Sequence, residues 1–444
     1  MTRGMGSAAP SRTPPTAIDA SDEVVNHHYE RYPFPKADEL FWKPRARWII
    51  NGLTGRWSHA PLPASGRVLV AGCGTREALV WAGAFPDAEI YAVDLSEASI
   101  AISSRLARQL GVKNLHLEQR TLLSLGPADG EFDFISSYGV LHHLEDPKAG
   151  LRILRDRLTP AGVLGLMLYS RRNRHLVQDL QSLIATLGGS AAHEREAMAK
   201  ALTLDWDAST GRLAPVVAKA RDHLENDWPL WADAFVHPRE RAYDLDELFD
   251  LLEEEDLRFL SWQQPFRWHL PALASQAPFS TALASLPDRA KYRVVDLVRA
   301  PLFELYCGRA DGPAPDKPWF HDDELLLESV LVTPRTVRHA VEENRVTRRL
   351  EDGRALGVVD EDPSAPVVRL ATPGGLYLDT HRFVAGIVSA LDGERTLREV
   401  ASARCEQSCL TLARLQPVLL DVVRRLIEPH GALALRPPPL RSPR

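Results

Sequence analysis

The stretch "VLVAGCGTREALVWAGAFPDAEIYAVDLS", Val68 to Ser96, is an apolar run, a glycine turn, a helical pattern and a second apolar run ending in an acid. A strand that stops at Gly72 and Gly74 and re-enters a helix aims backbone N–H groups at whatever lies above the sheet edge. Asp94 follows Gly74 by 20 residues and closes the second run, where a carboxylate can accept hydrogen bonds from both hydroxyls of a ribose. The dinucleotide fingerprint needs a further glycine at position 77, and this chain has Glu77. An acid at a helix start facing a pyrophosphate would repel it, which disfavours NAD and FAD. The ligand that fits has no phosphates and carries a carboxylate, an amine and an adenosine. The competing structural reading gives Gly72 and Gly74 only a tight turn and makes Asp94 the cap of the next helix.

Two other groupings contain ligand-type residues. Cys405 and Cys409 stand four apart on an expected helix, with His430 the nearest further soft ligand; they read as small residues facing a core. "HHLED" (His142, His143, Glu145, Asp146) lacks a matching distant ligand pair and reads as a loop and helix start. No metal site is expected.

The elements that must hold the turn follow from periodicity. Between Arg67 and Tyr169 the runs "RVLVA", "EIYAV", "NLHLE", "FDFISS" and "VLGLMLY" alternate with "EALVWAGAF", "EASIAISSRLARQL" and "PKAGLRILRDRL". The second set repeats its apolar residues at helical spacing, so a parallel sheet covered on both faces is predicted. The expected organisation is a disordered tail over 1–20, a helical cap over 21–62, the ligand-binding α/β domain over 63–172 and a mainly helical region over 173–305. In the cap, Pro33 and Pro35 of "YERYPFP" force an extended segment. The helical region carries Trp206, Trp228, Trp231, Trp262 and Trp268. A linker and helix over 306–362 ("ADGPAPDKPWF", then "RTVRHAVEENRVTRRL") leads to a last unit over 363–437. There "PVVRLAT" and "GLYLDT" flank a Pro-Gly-Gly turn and predict a hairpin, followed by three helical patterns and a closing "ALALR" strand. That order predicts a small winged-helix-like α+β domain.

Bulk properties set outer limits. A chain of 444 residues with 45% hydrophobic content can bury two or three cores, and a net charge of -6 gives no reason to bind nucleic acid or an anionic membrane. The apolar runs are too short to span a bilayer. Four scattered cysteines suit a reducing cytoplasm. In the last unit arginines and acids nearly balance, which leaves no basic face for duplex DNA.

"VLVAGCGTREAL", "IYAVDLSEASI", "EFDFISSYGVLHHLEDPKAGL" and "RLTPAGVLGLMLYS" resemble the successive motifs of class I S-adenosylmethionine-dependent methyltransferases. The resemblance is closest to a bacterial group with an AGCGT turn, a GVLHHL segment and a preceding Tyr-Glu-x-x-Pro-Tyr-Pro stretch, here "YERYPFP". "FVHPRERAYDLDEL" also resembles a segment of that group, so the match spans roughly residues 26 to 268. It implies an α/β, Rossmann-like, doubly wound sheet of seven strands, the last antiparallel, with a helical insertion. Strands six and seven are expected at "LRFLSW" and near "YRVVDLV".

Carried over by position, the resemblance implies that Gly72, Cys73 and Gly74 lie under the methionine part of S-adenosyl-L-methionine and that Asp94 holds the ribose beside Leu95. Ser137, Tyr138 and Gly139 would flank the sulfonium. Two positions depart from the pattern. Arg76 replaces a glycine and either crowds the methionine carboxylate or pairs with it. Thr121 replaces the acid that holds the adenine amine. For methyl transfer the candidate bases are His142, His143 and His237, with Tyr169 as a polar contact. Against these stand plain alternatives: His142 and His143 packing beneath or capping the helix near Pro147, and His237 pinning a loop. Tyr29, Tyr32 and Phe34 read equally as a lid and as a hydrophobic staple, and the tryptophans read as core. The expected function is a cytoplasmic methyltransferase acting on a small-molecule, peptide or protein acceptor. The alternative is a non-catalytic binding or regulatory protein on the same fold.

Overall fold

The computed structural model describes residues 20–36, 66–189, 191–206, 211–268, 279–313, 320, 322–332, 357–358, 367–372, 376–427 and 434–436. Of the expected tail over 1–20, residues 1–19 lie outside these residues and Ala20 opens a helix; the helix over "RTVRHAVEENRVTRRL" and the Pro-Gly-Gly turn also lie outside them.

Each apolar run identified between 67 and 170 is a strand: β1 Arg67–Ala71, β2 Glu89–Asp94, β3 Leu115–Gln119, β4 Phe132–Tyr138 and β5 Leu158–Ser170. The helical patterns follow in register, after an N-terminal helix α1 Ala20–Arg31, as α2 Glu77–Ala84, α3 Glu97–Leu110 and α4 Pro147–Asp156. Local chemistry sets their ends. Ser96 Oγ accepts from Ser99 N and caps α3, which Gly111 closes at φ +68°. Asp146 caps α4, with Pro147 in its first turn.

Beyond β5 the chain is helical, as its pattern predicts: α5 Arg171–Gly188, α6 Ala192–Leu204, α7 Ala214–Asn226 and α8 Trp228–Phe235, then the short strand β6 Ala242–Tyr243 and α9 Leu245–Glu254. β7 Leu257–Trp262 is the expected "LRFLSW" strand. The seventh strand of the main path departs from expectation. "YRVVDLV" lies in a helix (α11 Asp288–Arg299, after α10 Phe279–Ala284), and the strand is β8 Phe303–Arg309. The apolar residues of the helix are spaced to present Val295 to the core while Leu297 and Val298 stay exposed, whereas "FELYCGR" alternates across a buried sheet.

The main sheet runs β3-β2-β1-β4-β5-β8-β7, with β6 pairing β5 off that path. β1 to β5 are mutually parallel, and β8 is antiparallel to both β5 and β7. One face packs Leu151, Leu154, Leu248 and Trp262, and the other packs Trp81, Ile90 and Tyr306. The tryptophans of the helical region are core residues: Trp228 stacks on Trp231 at 4.7 Å, and Trp262 on Trp268 at 3.6 Å.

The last unit has its own core of Leu326, Val384, Leu397, Leu419 and Leu426. β11 Val367–Thr372 and β12 Leu376–His381 form the expected antiparallel hairpin, which β10 Gly357–Val358 extends. Helices Arg382–Ser389, Leu397–Glu406 and Leu412–Ile427 follow, and a second sheet joins β13 Asp392–Thr396, β9 Val330–Val332 and β14 Ala434–Arg436. Cys405 faces the core, but the helix ends at Glu406 and Cys409 is exposed, so the pair does not share a helix face.

Candidate functional site

Gly72 and Gly74 follow β1 with φ of +78° and +53°. Both are required by close approach as well as by conformation: a Cβ at Gly72 would overlap the Val140 side chain, and one at Gly74 the carbonyl oxygen of Phe34. The N–H groups of Gly72 and Cys73 donate to Val93 O at 2.8 and 3.0 Å, which ties the turn to β2. Cys73 turns its thiol into the core, where burial pushes it up.

Asp94 ends β2 beside this turn, half-buried. Gly74 N–H donates to its Oδ2 at 2.7 Å and Ser96 N–H to its Oδ1 at 2.9 Å. Ser96, not Asp94, caps α3. An ionised carboxylate has about four acceptor positions, so each oxygen retains capacity for a hydroxyl. Burial raises the Asp94 carboxyl above its ordinary value, and the N–H donors oppose that rise. Leu95 O accepts from Gln119 Nε2. Ser137 Oγ, at the end of β4, is buried and has no hydrogen-bond partner among the described residues. Tyr138 directs its hydroxyl to Gln263, next to β7. Glu77 turns inward, accepting from Trp81 Nε1 at 3.1 Å and lying 3.4 Å from Ser136 Oγ. It therefore does not face the mouth of the turn, because Trp81, one helical turn on, offers it a buried donor.

The "YERYPFP" segment straps this rim. Thr75 N–H donates to Phe34 O at 3.1 Å, Thr75 Oγ1 bonds Pro35 O, and Arg76 Nη1 donates to Lys36 O at 3.0 Å. Arg76 thus reaches the strap. Tyr32 packs with Trp228 and Trp231 as a staple, while Tyr29 faces the site. Thr121 accepts from Leu123 N and donates to Asp22 Oδ2 at 3.1 Å.

Two neighbouring candidate bases, the buried His142 and His143, meet the third, the half-buried His237, in one cluster beside the rim. His142 and His143 occupy a short turn after β4; neither caps α4. The His143 ring lies 3.8 Å from that of His237 and 4.3 Å from that of His142 (centroid distances), and His142 lies 3.9 Å from Tyr169 at the end of β5. His28 of α1 lies 4.7 Å from His237. Asp233 of α8, 4% exposed, accepts from Tyr29 Oη at 3.0 Å and from Tyr169 Oη at 3.3 Å. Arg174, paired with Glu240, lies over the Tyr169 ring. Burial lowers all four histidines, His28 to about 4, so the rings are neutral near pH 7.

The backbone of Arg239 fixes two tautomers. Its carbonyl lies 2.7 Å from His143 Nδ1, which must therefore carry the proton, leaving Nε2 with a lone pair. Its N–H donates to His237 Nδ1 at 3.1 Å, which puts the proton of neutral His237 on Nε2. His143, Asp233 and His237 bring ligand-type atoms within 4.8 Å of one another. A cation on His237 Nε2 would need Nδ1 protonated against the Arg239 N–H, so this trio suits proton transfer better than metal binding.

Asp233, His28 and the Arg239 backbone were not identifiable as site residues from patterns centred on the glycine turn. One signal was present: Asp233 is the sole acid in the otherwise apolar "WPLWADAFV", and an acid in an apolar helix implies a buried partner.

Sheet order, glycine turn and acidic strand end define a Rossmann-like methyltransferase architecture, and the comparisons agree. A family model described as a methyltransferase domain matches residues 69–164. An uncharacterized protein of Synechococcus, syc1184_c, is 31% identical over 328 residues, covering 69% of this chain and 76% of that protein, and the chain belongs to its family. The uncharacterized protein RP028 of Rickettsia prowazekii is 28% identical over 138 residues, covering 30% of this chain and 54% of that one. Among solved structures, PKMT2 from Rickettsia typhi in complex with AdoHcy shares the fold at a TM-score of 0.63 and 16% identity, covering 91% of this chain and 77% of that chain. Among the described residues no helix is long and apolar enough to cross a membrane.

Proposed function

We propose that the chain is an S-adenosylmethionine-dependent methyltransferase of the class I type, acting in the cytoplasm on a small-molecule, peptide or protein acceptor. The observation that carries this reading is the adjacency of two differently equipped groups at one sheet edge. The Asp94 rim has unused carboxylate capacity, and the cluster beside it holds His142, whose ring nitrogens have no hydrogen-bond partner among the described residues, against His143. The rim's donor set fits the cofactor: acceptor positions on Asp94 for a diol, the bare backbone of Gly72 and Gly74, and the unpartnered Ser137 Oγ. The AdoHcy complex of PKMT2 supports the same assignment.

S-adenosylmethionine supplies an already activated methyl group, so the protein has to position the acceptor, exclude water and remove a proton. His143 is the base in this scheme. Its Nδ1–H is held by Arg239 O, which leaves the lone pair on Nε2, and its neutral form predominates near pH 7. Asp233 stabilises the imidazolium that forms, and the hydroxyls of Tyr29 and Tyr169 hold Asp233 in place. His142 and His237 pack around the acceptor position. α1 and its strap keep bulk water out. A non-catalytic binder is the second reading, and its support is Thr121 in place of an acid.

Calorimetry with S-adenosylmethionine and S-adenosylhomocysteine tests the cofactor, and methyl-labelled S-adenosylmethionine in host lysate tests transfer. The expected results are saturable binding of both, and a gain of one methyl on a lysate species that Asp94→Ala abolishes. No binding of either compound overturns the reading. Tight binding without transfer to any extract favours the second.

A further inference from the structure

The loop after β3 has Thr121 where an acid would hold the adenine amine, yet a carboxylate stands there from another part of the chain. Asp22, in the first turn of α1, is 4% exposed, and its Oδ2 accepts from Thr121 Oγ1 at 3.1 Å. Among the described residues this hydroxyl is its hydrogen-bond partner and no cation pairs with it. A first-turn acid is favoured by the helix dipole alone, but that effect requires neither burial nor a contact with the β3 loop. The Thr121 hydroxyl takes one of the carboxylate's roughly four acceptor positions, which leaves others open to a ligand donor.

The same helix is bolted to the Asp94 rim. Ser96 Oγ lies 3.3 Å from Tyr29 O, and Ala98 N–H donates to Glu30 Oε1 at 3.3 Å. β2 and β3 pair with Asp94 opposite Gln119, two residues before Thr121. Asp22 and Asp94 are therefore held at the ends of neighbouring strands, β3 and β2.

We propose that Asp22 is the acceptor for the exocyclic amine of the bound adenine, delivered by α1 in place of the acid missing at position 121. The inference rests on the reading that this rim binds S-adenosylmethionine. It makes α1 part of the cofactor pocket as well as its cover, and it removes the main support for a site decayed at Thr121.

The test compares S-adenosylhomocysteine with S-inosylhomocysteine, which presents a carbonyl instead of an amine, by calorimetry on the full chain. A hydrogen bond to a charged group predicts that the wild type prefers the adenosyl compound by at least about tenfold. Asp22→Ala should weaken the adenosyl compound by about tenfold or more and change the inosyl compound by less than about twofold. Adding Thr121→Asp to Asp22→Ala should restore the preference. If Asp22→Ala destabilises the fold, Asp22→Asn keeps a partner for Thr121 and should shrink or reverse the preference. Equal weakening of both ligands, or a preference indifferent to position 22, overturns the inference while leaving the cofactor reading intact. A wild type that binds neither compound overturns the cofactor reading itself, and the role of Asp22 with it.

Discussion

The two halves of the site are built differently. The cofactor rim comes from consecutive strand ends, Gly72 to Asp94 to Thr121, and its polar atoms are half-exposed with acceptor capacity to spare. The histidine cluster is assembled from α1, the turn after β4, the end of β5 and the α8 loop, with partners such as Tyr29 and Asp233 204 residues apart. Its four imidazoles are neutral near pH 7, with His28, His142 and His143 buried and His237 half-buried. The rim is a product of parallel-sheet topology, which places every strand end at one edge. The cluster depends on how the helical insertion packs against α1. Substitutions in the rim should therefore act on ligand affinity, and substitutions in the cluster on turnover and on closure of the strap.

The sharpest way to break this contrast is His143→Asn, whose amide can still donate to Arg239 O but supplies no base. Methyl transfer should fall by about 10²- to 10⁴-fold, the usual contribution of a positioned base, with S-adenosylhomocysteine affinity unchanged by calorimetry. An unchanged rate would remove His143 from the chemistry. Asp94→Ala is the converse. It deletes the diol acceptor and strands the N–H groups of Gly74 and Ser96, so cofactor affinity should fall by about a hundredfold or more. Retained affinity would show that the ligand does not sit on β2.

A smaller effect distinguishes the halves by pH. Burial is the largest cause that holds His28 down at about 4, with His143 and His27 acting in the same direction and Asp233 and Glu196 opposing. Between about 4 and its ordinary 6.5 the unfolded chain binds a proton that the folded chain refuses. Stability is therefore full above 6.5 and is lost as pH falls through that window, by on the order of 3 kcal/mol from this residue. Thermal melts should show a midpoint rising with pH from 4 to 6.5, and His28→Gln should flatten the slope. A slope unchanged in that variant would place the acid sensitivity elsewhere in the cluster.

The difference in construction also explains what could be read in advance. All five strands from β1 to β5 and the helices between them were legible, because burial on both faces writes continuous apolar runs and the caps use ordinary residues such as Ser96 and Asp146. The glycine turn and Asp94 were legible as a unit because they are close in sequence. That His142, His143 and His237 converge was not, since nothing local to "GVLHHLED" indicates that "FVHPRER" folds over it. β8 was misplaced by eleven residues, onto the helix at Tyr292–Val298 instead of Phe303–Arg309, because a half-buried helix and a buried strand both read as short apolar runs. Asp22 could not be paired with Thr121 at all: the contact exists only once α1 lies across the strand ends.

Arg76 supplies the mildest test and bears on the same contrast. As a residue inside the glycine turn it would, by position alone, be expected to crowd or pair with the amino-acid tail of the cofactor. In the structure its guanidinium reaches Lys36 O in an exposed contact with the strap. An exposed bond of this kind contributes little, so Arg76→Ala should change S-adenosylhomocysteine affinity by less than about threefold. It should, however, loosen the strap enough to speed amide exchange at Thr75, whose N–H is held by Phe34 O. A tenfold loss of affinity would mean that Arg76 swings from the strap to the ligand's carboxylate on binding, and would join strap and rim into a single ligand-gated unit.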